Sequence, residues 1–287
     1  MPSSMTRRLL LAALAAAGPL TLTTASAAPA AAPVREKPVV RAVARTTRER
    51  HPRRIYIAGD STASQKYAVA SPETGWGMAL PWYVAARIEV INHAMNGRSS
   101  KSFIKEGRLA AILDVIRPGD VLLVQFGHND QKSDPAVGTE PWTTYRSSLR
   151  RYLDGARERG AVPVLLTPAE RRRFDADGNA VATHGQYPDA MRALAAAEGV
   201  PLIDITAQTI ARWQELGPDR SRLNFLHTDA GLEDNTHFNA AGAGAVGRMV
   251  ARGLLATGVL AGNAVRRLDE DVPVKWFTWP ETVPAAT

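Results

Sequence analysis

A serine, an aspartate and a histidine in this chain are placed where they can support nucleophilic catalysis. Ser61 lies in Gly59-Asp60-Ser61-Thr62, directly after an apolar run, and its hydroxyl needs a nearby base before it can attack a carbonyl. His237 can be that base, because Asp234 stands three residues earlier and can fix the imidazole tautomer across one turn. Each motif also has an ordinary structural interpretation, in which Ser61 forms a turn or helix cap and Asp234 caps a helix.

Two further residues can stabilise the negative charge that such a reaction develops. Gly97, in Asn96-Gly97-Arg98-Ser99, can bring its backbone N–H close to a ligand because it carries no side chain. Asn129, in Gly127-His128-Asn129-Asp130, can donate from its amide. With the N–H of Ser61 they can form an oxyanion hole, in which loss of one donor removes about 2.7–4 kcal/mol of stabilisation. Asn-Gly is also a common turn dipeptide, so Gly97 alone indicates little.

Five short apolar runs predict the strands that position these residues. The strands are expected at 55–58, 88–92, 121–126, 162–166 and 201–204, and hydrophobic spacing predicts helices at 75–87, 101–116, 140–159, 188–198 and 239–256. Alternation of strands and helices is typical of a parallel sheet covered on both faces. Ligands of such sheets bind beyond the carboxyl ends of the strands, where Ser61, Gly97 and Asn129 are expected.

The four motifs occur in one order along the chain, and in that order they resemble the GDSL/SGNH hydrolases. The resemblance implies that Ser61, Gly97, Asn129 and His237 fill the family's four roles, with Asp234 completing a Ser-His-Asp triad. It also implies a flavodoxin-like three-layer α/β/α sandwich around a five-stranded parallel sheet, and no metal or organic cofactor. No His, Asp or Glu spacing in the sequence argues for a metal site.

Thr62 stands where the family name implies Leu, and this departure is similar to the rhamnogalacturonan acetylesterase branch. The strings Asn96-Gly97-Arg98-Ser99-Ser100-Lys101-Ser102 and Phe126-Gly127-His128-Asn129-Asp130 resemble the same branch. That resemblance implies an acetylated pectic polysaccharide as substrate. Acetylxylan or a lipid ester is the alternative substrate, although the sequence has no long apolar lid. A non-catalytic carbohydrate-binding protein is the alternative of another class, and an aromatic content of 6% favours it little.

Three more residues are candidates for substrate contact. Arg171 begins a run of three arginines, and a guanidinium suits the carboxylate of a galacturonate. Such charge runs are more often a solvated face. His184 and His128 can also touch substrate, and packing explains them equally well.

The basic character of the chain comes from its N-terminal segment. The net charge is +7, but residues 1–54 carry ten Lys and Arg against two Glu, which leaves the rest at −1. The pI therefore gives no support for a nucleic-acid partner. Absence of cysteine excludes disulfides. The segment 54–287 shows no internal repeat or second linker and predicts one hydrolase domain, which we expect to be a monomer.

A leader precedes that domain. Residues 1–28 are typical of a signal peptide, with Arg7 and Arg8 before an apolar run over 9–22 and a small-residue cleavage motif at Ala25-Ser26-Ala27. The sequence thus predicts a secreted protein with no membrane attachment after cleavage, exported by the Sec or the twin-arginine route. Residues 29–53 predict a flexible basic linker or pro-segment.

Overall fold

A computed structural model describes residues 53–282. The predicted signal peptide, and the predicted linker except Arg53, lie outside the described residues. Five strands form a parallel sheet in the order β2-β1-β3-β4-β5. They are β1 (Arg54–Gly59), β2 (Glu89–Asn92), β3 (Val121–Gln125), β4 (Val162–Leu166) and β5 (Leu202–Ile203). The five predicted strands are confirmed, each within one residue at either end.

Alternate residues of the strands supply two separate cores. In β1, Ile55 and Ile57 pack into one core, whereas Tyr56 and Ala58 pack into the other. This follows from the period of two in a strand, where successive side chains point to opposite faces. All five residues of β3 are buried, as expected for the central strand of a sheet covered on both sides.

Within residues 53–282, seven α-helices cover the two faces. They are α1 (Trp76–Tyr83), α2 (Ser100–Lys105), α3 (Arg108–Leu113), α4 (Arg146–Glu158), α5 (Tyr187–Glu198), α6 (Ile205–Ser221) and α7 (Ala240–Ala256). Helices α1, α6 and α7 pack into one core and α2 to α5 into the other. The predicted three-layer α/β/α sandwich is therefore confirmed. Among residues 53–282 no helix is both long and apolar enough to cross a bilayer.

Three predicted helices begin or end differently in the structure. The helix expected over 75–87 ends at Tyr83, because Val84 is extended, with φ −106° and ψ 155°. The helix expected over 101–116 is divided into α2 and α3, because Gly107 adopts a φ of 75°, which lies in the left-handed region that ends helices. The helix expected over 140–159 opens with one wider helical turn, Pro141–Tyr145, before α4 begins.

Helix α6 was not predicted, although its buried residues include Ile205, Thr209 and Trp213 at a spacing of four. Asp204 caps its first turn by accepting a hydrogen bond from the N–H of Ala207. The helical pattern is hard to recognise in the sequence near the end of α6, because Gly217, with a φ of 70°, is followed there by Pro218.

An antiparallel hairpin lies outside the main sheet and was also not predicted. Strand β6 (Phe225–His227) pairs with β7 (Glu233–Phe238), and α7 follows directly. Asn239 caps α7, its side-chain oxygen accepting from the N–H groups of Ala241 and Gly242. The hairpin matters because β7 carries both Asp234 and His237.

Candidate active site

Ser61 lies in a tight turn immediately after β1. The carboxylate of Asp60 accepts hydrogen bonds from the backbone N–H and the hydroxyl of Thr62, at 3.0 and 2.7 Å. The carbonyl of Asp60 accepts from the N–H groups of Ala63 and Ser64. Asp60 is fully buried, and burial raises the pKa of its carboxyl. The turn that the sequence offered as an alternative to a nucleophile is thus the feature that holds Ser61 at the sheet edge.

Asp234 and His237 are joined side chain to side chain within β7. Asp234 Oδ2 lies 2.6 Å from His237 Nδ1, and Asp234 Oδ1 accepts from the N–H groups of Thr236 and His237 at 2.7 and 3.0 Å. Burial alone raises the pKa of Asp234, but the hydrogen bonds from His237 and the backbone lower it to about 2. Asp234 is therefore an ionised acceptor, and it does not cap a helix, since Asn239 caps α7.

The imidazole of His237 connects this carboxylate to Ser61. Its Nε2 lies 2.8 Å from Ser61 Oγ. Because Asp234 accepts the proton on Nδ1, Nε2 is left as the acceptor for the serine hydroxyl. His237 keeps 28% of its side chain exposed, so a substrate can reach this nitrogen. The three side chains form one hydrogen-bonded chain able to carry a proton away from Ser61.

The structure also brings Gly97 and Asn129 into neighbouring loops. Asn129 donates from Nδ2 to the carbonyl of Arg98, at 3.0 Å, which ties the loop after β3 to the residue after Gly97. Asn96 is tied to the Ser61 turn, because its Oδ1 accepts from the hydroxyl of Ser64 at 2.6 Å.

Glycine at position 97 also has a conformational basis in the backbone. Apart from its two chain neighbours, a Cβ at this position meets no protein atom within 4 Å, so lack of space for a side chain does not explain the glycine. The φ of 77° instead places the residue in the left-handed region that glycine adopts without strain.

The structure does not place His184 where a substrate contact was expected. Its side chain is fully buried, with Nε2 3.0 Å from the carbonyl of Ala169 and Nδ1 3.3 Å from Gln131 Oε1. The expected contact is therefore not available in this structure, because the ring is enclosed by protein.

His128 and Arg171 are also directed largely inward. His128 is 6% exposed and its ring lies edge-on to His184 at 4.4 Å between centroids. Burial, with a contribution from the positive charge of Arg171, places the pKa of His128 well below its ordinary value. Arg171 donates from Nη1 to Gln131 and Thr183, so this part of its guanidinium organises the interior.

Residues 53–282 contain no group of three His, Asp or Glu side chains able to hold a metal ion. A model of the GDSL-like lipase/acylhydrolase family matches residues 57–245. The chain belongs to the GDSL-like lipase/acylhydrolase family. The match runs from β1 into α7 and so contains all the residues of the hydrogen-bonded chain.

Relatives of this GDSL hydrolase are named as acetylesterases. Rhamnogalacturonan acetylesterase RhgT of Bacillus subtilis is 43% identical over 71% of this chain and 90% of its own length. "Probable rhamnogalacturonan acetylesterase YesY" of the same organism is 44% identical over 71% of this chain and 94% of its own length. The crystal structure of Bacillus subtilis protein YxiM matches with a TM-score of 0.65 at 32% identity, over 72% of this chain and 57% of that one. The GDSL hydrolase is accordingly a carboxylic ester hydrolase.

Two residues of the GDSL hydrolase that lie beside His237 were missed in the sequence. Glu73 Oε1 is 4.0 Å from His237 Nε2, and Lys66 Nζ is 2.5 Å from the same Glu73 oxygen. Neither residue belongs to a motif at the end of a strand. Their only signal in the sequence is proximity to Ser61, which does not reveal that Lys66 is buried.

Proposed function

We propose that the protein is an exported serine acetylesterase that removes acetyl groups from acetylated rhamnogalacturonan. The observation that carries the proposal is the hydrogen-bonded chain from Asp234 through His237 to Ser61. Two relatives named as rhamnogalacturonan acetylesterases, 43% and 44% identical over nearly their whole lengths, support the choice of substrate.

Acylation begins when Ser61 Oγ attacks the acetyl carbonyl while His237 Nε2 takes its proton. Asp234, ionised because its pKa is about 2, stabilises the imidazolium that forms. The N–H groups of Ser61 and Gly97 and the amide of Asn129 receive the negative charge on the carbonyl oxygen. His237 then gives its proton to the sugar oxygen, and the deacetylated sugar leaves an acetyl-serine.

Deacylation repeats these steps with water in place of the serine hydroxyl. Water replaces the sugar beside His237 Nε2, loses a proton to it and attacks the acetyl-serine. Collapse of the second tetrahedral intermediate returns the proton from His237 to Ser61 Oγ and releases acetate. Each cycle consumes one water and regenerates the free serine.

Acetate release from two polymers tests both the mechanism and the substrate. Wild type is incubated with acetylated rhamnogalacturonan and with acetylated xylan, beside Ser61→Ala and the control Ser147→Ala, whose serine lies exposed on α4. We expect release from the pectic polymer by wild type and the control, and its loss in Ser61→Ala. Release only from xylan moves the substrate but keeps the mechanism. Normal release by a folded Ser61→Ala contradicts the mechanism.

Export is supported by the leader sequence and has its own test. The full chain is expressed in a bacterium with both export routes, and the N-terminus of the extracellular protein is determined by mass spectrometry. A terminus close to residue 28 is expected. Loss of export in Arg7→Lys/Arg8→Lys indicates the twin-arginine route, since the Sec route tolerates lysine in the positive region. Retention of an uncleaved chain inside the cell contradicts the proposal.

A further inference from the structure

A second carboxylate faces the imidazole of His237. Asp234 contacts Nδ1, whereas Glu73 Oε1 lies 4.0 Å from Nε2, the nitrogen that also contacts Ser61 Oγ. At 4.0 Å the Glu73 oxygen is too far for a direct hydrogen bond to that nitrogen. Glu73 therefore borders the space in which His237 must meet the leaving oxygen of the substrate.

Lys66 holds the Glu73 carboxylate from behind. Its Nζ lies 2.5 Å from Glu73 Oε1 and donates to Asn96 Oδ1 at 2.7 Å. Lys66 is 1% exposed, whereas the Glu73 side chain is 16% exposed. Glu73 is thus the member of the pair that faces the site.

Backbone contacts fix Glu73 relative to the hydrogen-bonded chain. The N–H of Thr74 donates to the carbonyl of Phe238 at 2.8 Å, next to His237. The indole N–H of Trp279 donates to the carbonyl of Glu73, also at 2.8 Å. With its backbone fixed in this way and its carboxylate paired with Lys66, Glu73 loses little conformational freedom when a ligand binds to it.

The burial of this ion pair is not explained by stability. Burial lowers the pKa of Lys66, and the charge of Glu73 acts to raise it again. Desolvation of two charges commonly exceeds their mutual attraction, and apolar residues of similar volume often stabilise a protein more. A role in binding is therefore the better explanation for a Lys–Glu pair beside His237 Nε2.

The position of the leaving oxygen defines what Glu73 can contact. That oxygen must come within about 2.6–3.2 Å of His237 Nε2 to receive a proton. In a sugar, the hydroxyl on the adjacent carbon lies next to the leaving oxygen. That hydroxyl can point either toward Glu73 or away from it. A carboxylate has about four acceptor positions, and Lys66 uses one of them.

We propose that Glu73 is a specificity-determining residue, whose carboxylate accepts a hydrogen bond from a free hydroxyl on the carbon adjacent to the acetylated one. The substrate class is then a monoacetylated vicinal diol. A sugar unit acetylated at both positions is a poor substrate, because the second ester offers no proton to Glu73. The inference rests on the serine mechanism of the proposed function, but it does not require that the polymer be pectic.

A matched pair of esters tests the contact. Methyl 2-O-acetylgalacturonoside carries one hydroxyl adjacent to the ester, on carbon 3, and its 3-deoxy analogue lacks only that group. We expect wild type to prefer the hydroxyl-bearing ester in kcat/KM by about ten- to a hundredfold, the usual range for a hydrogen bond to a charged group. In Glu73→Gln the preference should fall about tenfold, because the remaining acceptor is neutral.

A double variant and a control separate this contact from a structural role. Lys66→Met/Glu73→Leu removes both charges together and should abolish the preference. Glu198→Gln breaks contacts with Arg150 and Arg157 on the surface and should keep the wild-type preference. Because each preference is a ratio within one protein, partial loss of folded enzyme does not alter it.

Three results overturn the inference: a wild-type ratio near one, a ratio unchanged in the double variant, or turnover of 4-nitrophenyl acetate with neither the galacturonoside pair nor the corresponding xyloside pair hydrolysed. Failure of the proposed function gives a different pattern. A preference seen only with the corresponding pair of xylosides, and lost in Glu73→Gln, keeps the role of Glu73 and rejects the pectic substrate.

Discussion

Two sets of histidine and carboxylate side chains lie beyond the carboxyl ends of the parallel strands, and they differ in their access to solvent. In the first, His237 is partly exposed and lies 2.6 Å from Asp234. The second, the interior polar cluster, consists of His128, Asp130, Glu170 and His184, all of them buried. Its nearest pair of a histidine and a carboxylate, His184 and Glu170, is separated by 4.0 Å.

The two sets differ in protonation because they differ in burial and partners. Hydrogen bonds from His237 and the backbone lower the pKa of Asp234 to about 2 against the effect of burial. In the interior polar cluster burial dominates: it raises the pKa of Asp130 to about 6 and places that of His184 well below its ordinary value. The pKa of a buried carboxyl is thus low only where hydrogen bonds to it outweigh desolvation.

The largest expected effect contrasts the two histidines directly. His237→Gln should lower kcat on 4-nitrophenyl acetate by about 10⁴-fold or more, because Ser61 loses its base. His184→Gln should keep kcat within about tenfold but lower Tm, because the ring is enclosed and contacts the carbonyl of Ala169. The kcat on 4-nitrophenyl acetate and the Tm of both variants measure this contrast. Similar losses of kcat in the two would remove the distinction between the two regions.

The two carboxylates give the next contrast. Asp234→Asn should lower kcat by about 10³–10⁴-fold, since an amide no longer fixes the imidazole tautomer. Glu170→Gln should have little effect on kcat, because its Oε2 accepts from the N–H and hydroxyl of Thr183, and an amide oxygen can do the same. Steady-state kinetics on the same aryl ester measure both. A kcat of Asp234→Asn above a tenth of wild type is incompatible with the proposed role of Asp234.

Adjacent residues in the loop after β3 mark the boundary between the regions. Asn129→Ala should lower kcat by about 10²–10³-fold with little change in KM, because it removes one donor to the developing oxyanion. His128→Gln, one residue away but within the interior polar cluster, should change Tm more than kcat. The kcat and KM of both variants measure this contrast. A loss confined to KM in Asn129→Ala would assign the amide to substrate binding.

The strands of this fold were predictable, whereas α6 and the β6–β7 hairpin were not. The strands of the parallel sheet read as short apolar runs because most of their residues are buried on both faces. Strand β7 instead reads Glu-Asp-Asn-Thr-His-Phe, with no apolar alternation, and only Phe238 in it is buried. Its extended conformation comes from pairing with β6 and from the hydrogen bonds to Asp234, which local sequence patterns do not reveal.

The features of the candidate site also differ in whether the sequence could reveal them. Short motifs in a fixed order allow the sequence to propose five candidate residues: Ser61, Gly97, Asn129, Asp234 and His237. The burial of His184 was not identifiable, since it arises from packing of the loop between β4 and α5 against the loop after β3. Glu73 was missed for a similar reason: the contact that fixes its backbone comes from Trp279, more than two hundred residues later.

The smallest expected effect concerns the opposite pH slopes of two aspartates. The pKa of Asp130 is about 6 when folded, against 3.8 for the ordinary side chain, so the folded state binds its proton more tightly than the unfolded state. That contribution is complete below about pH 3.8 and disappears as pH rises through 6. Asp234 is the reverse: with a folded pKa of about 2, its contribution is present above pH 3.8 and disappears as pH falls through 2.

Urea unfolding of wild type, Asp130→Asn and Asp234→Asn at a series of pH values measures these slopes. Between about pH 4 and pH 7 the unfolding free energy of wild type should fall relative to Asp130→Asn by up to about 3 kcal/mol. Asn can keep accepting from Ser100 through its amide oxygen, and it has no proton to lose in this range. Over the same range Asp234→Asn should parallel wild type and depart from it only in acid. Parallel curves for wild type and Asp130→Asn would mean that Ser100 and Thr139 stabilise the ionised carboxylate of Asp130 as effectively as His237 stabilises that of Asp234, and burial would no longer separate the two regions.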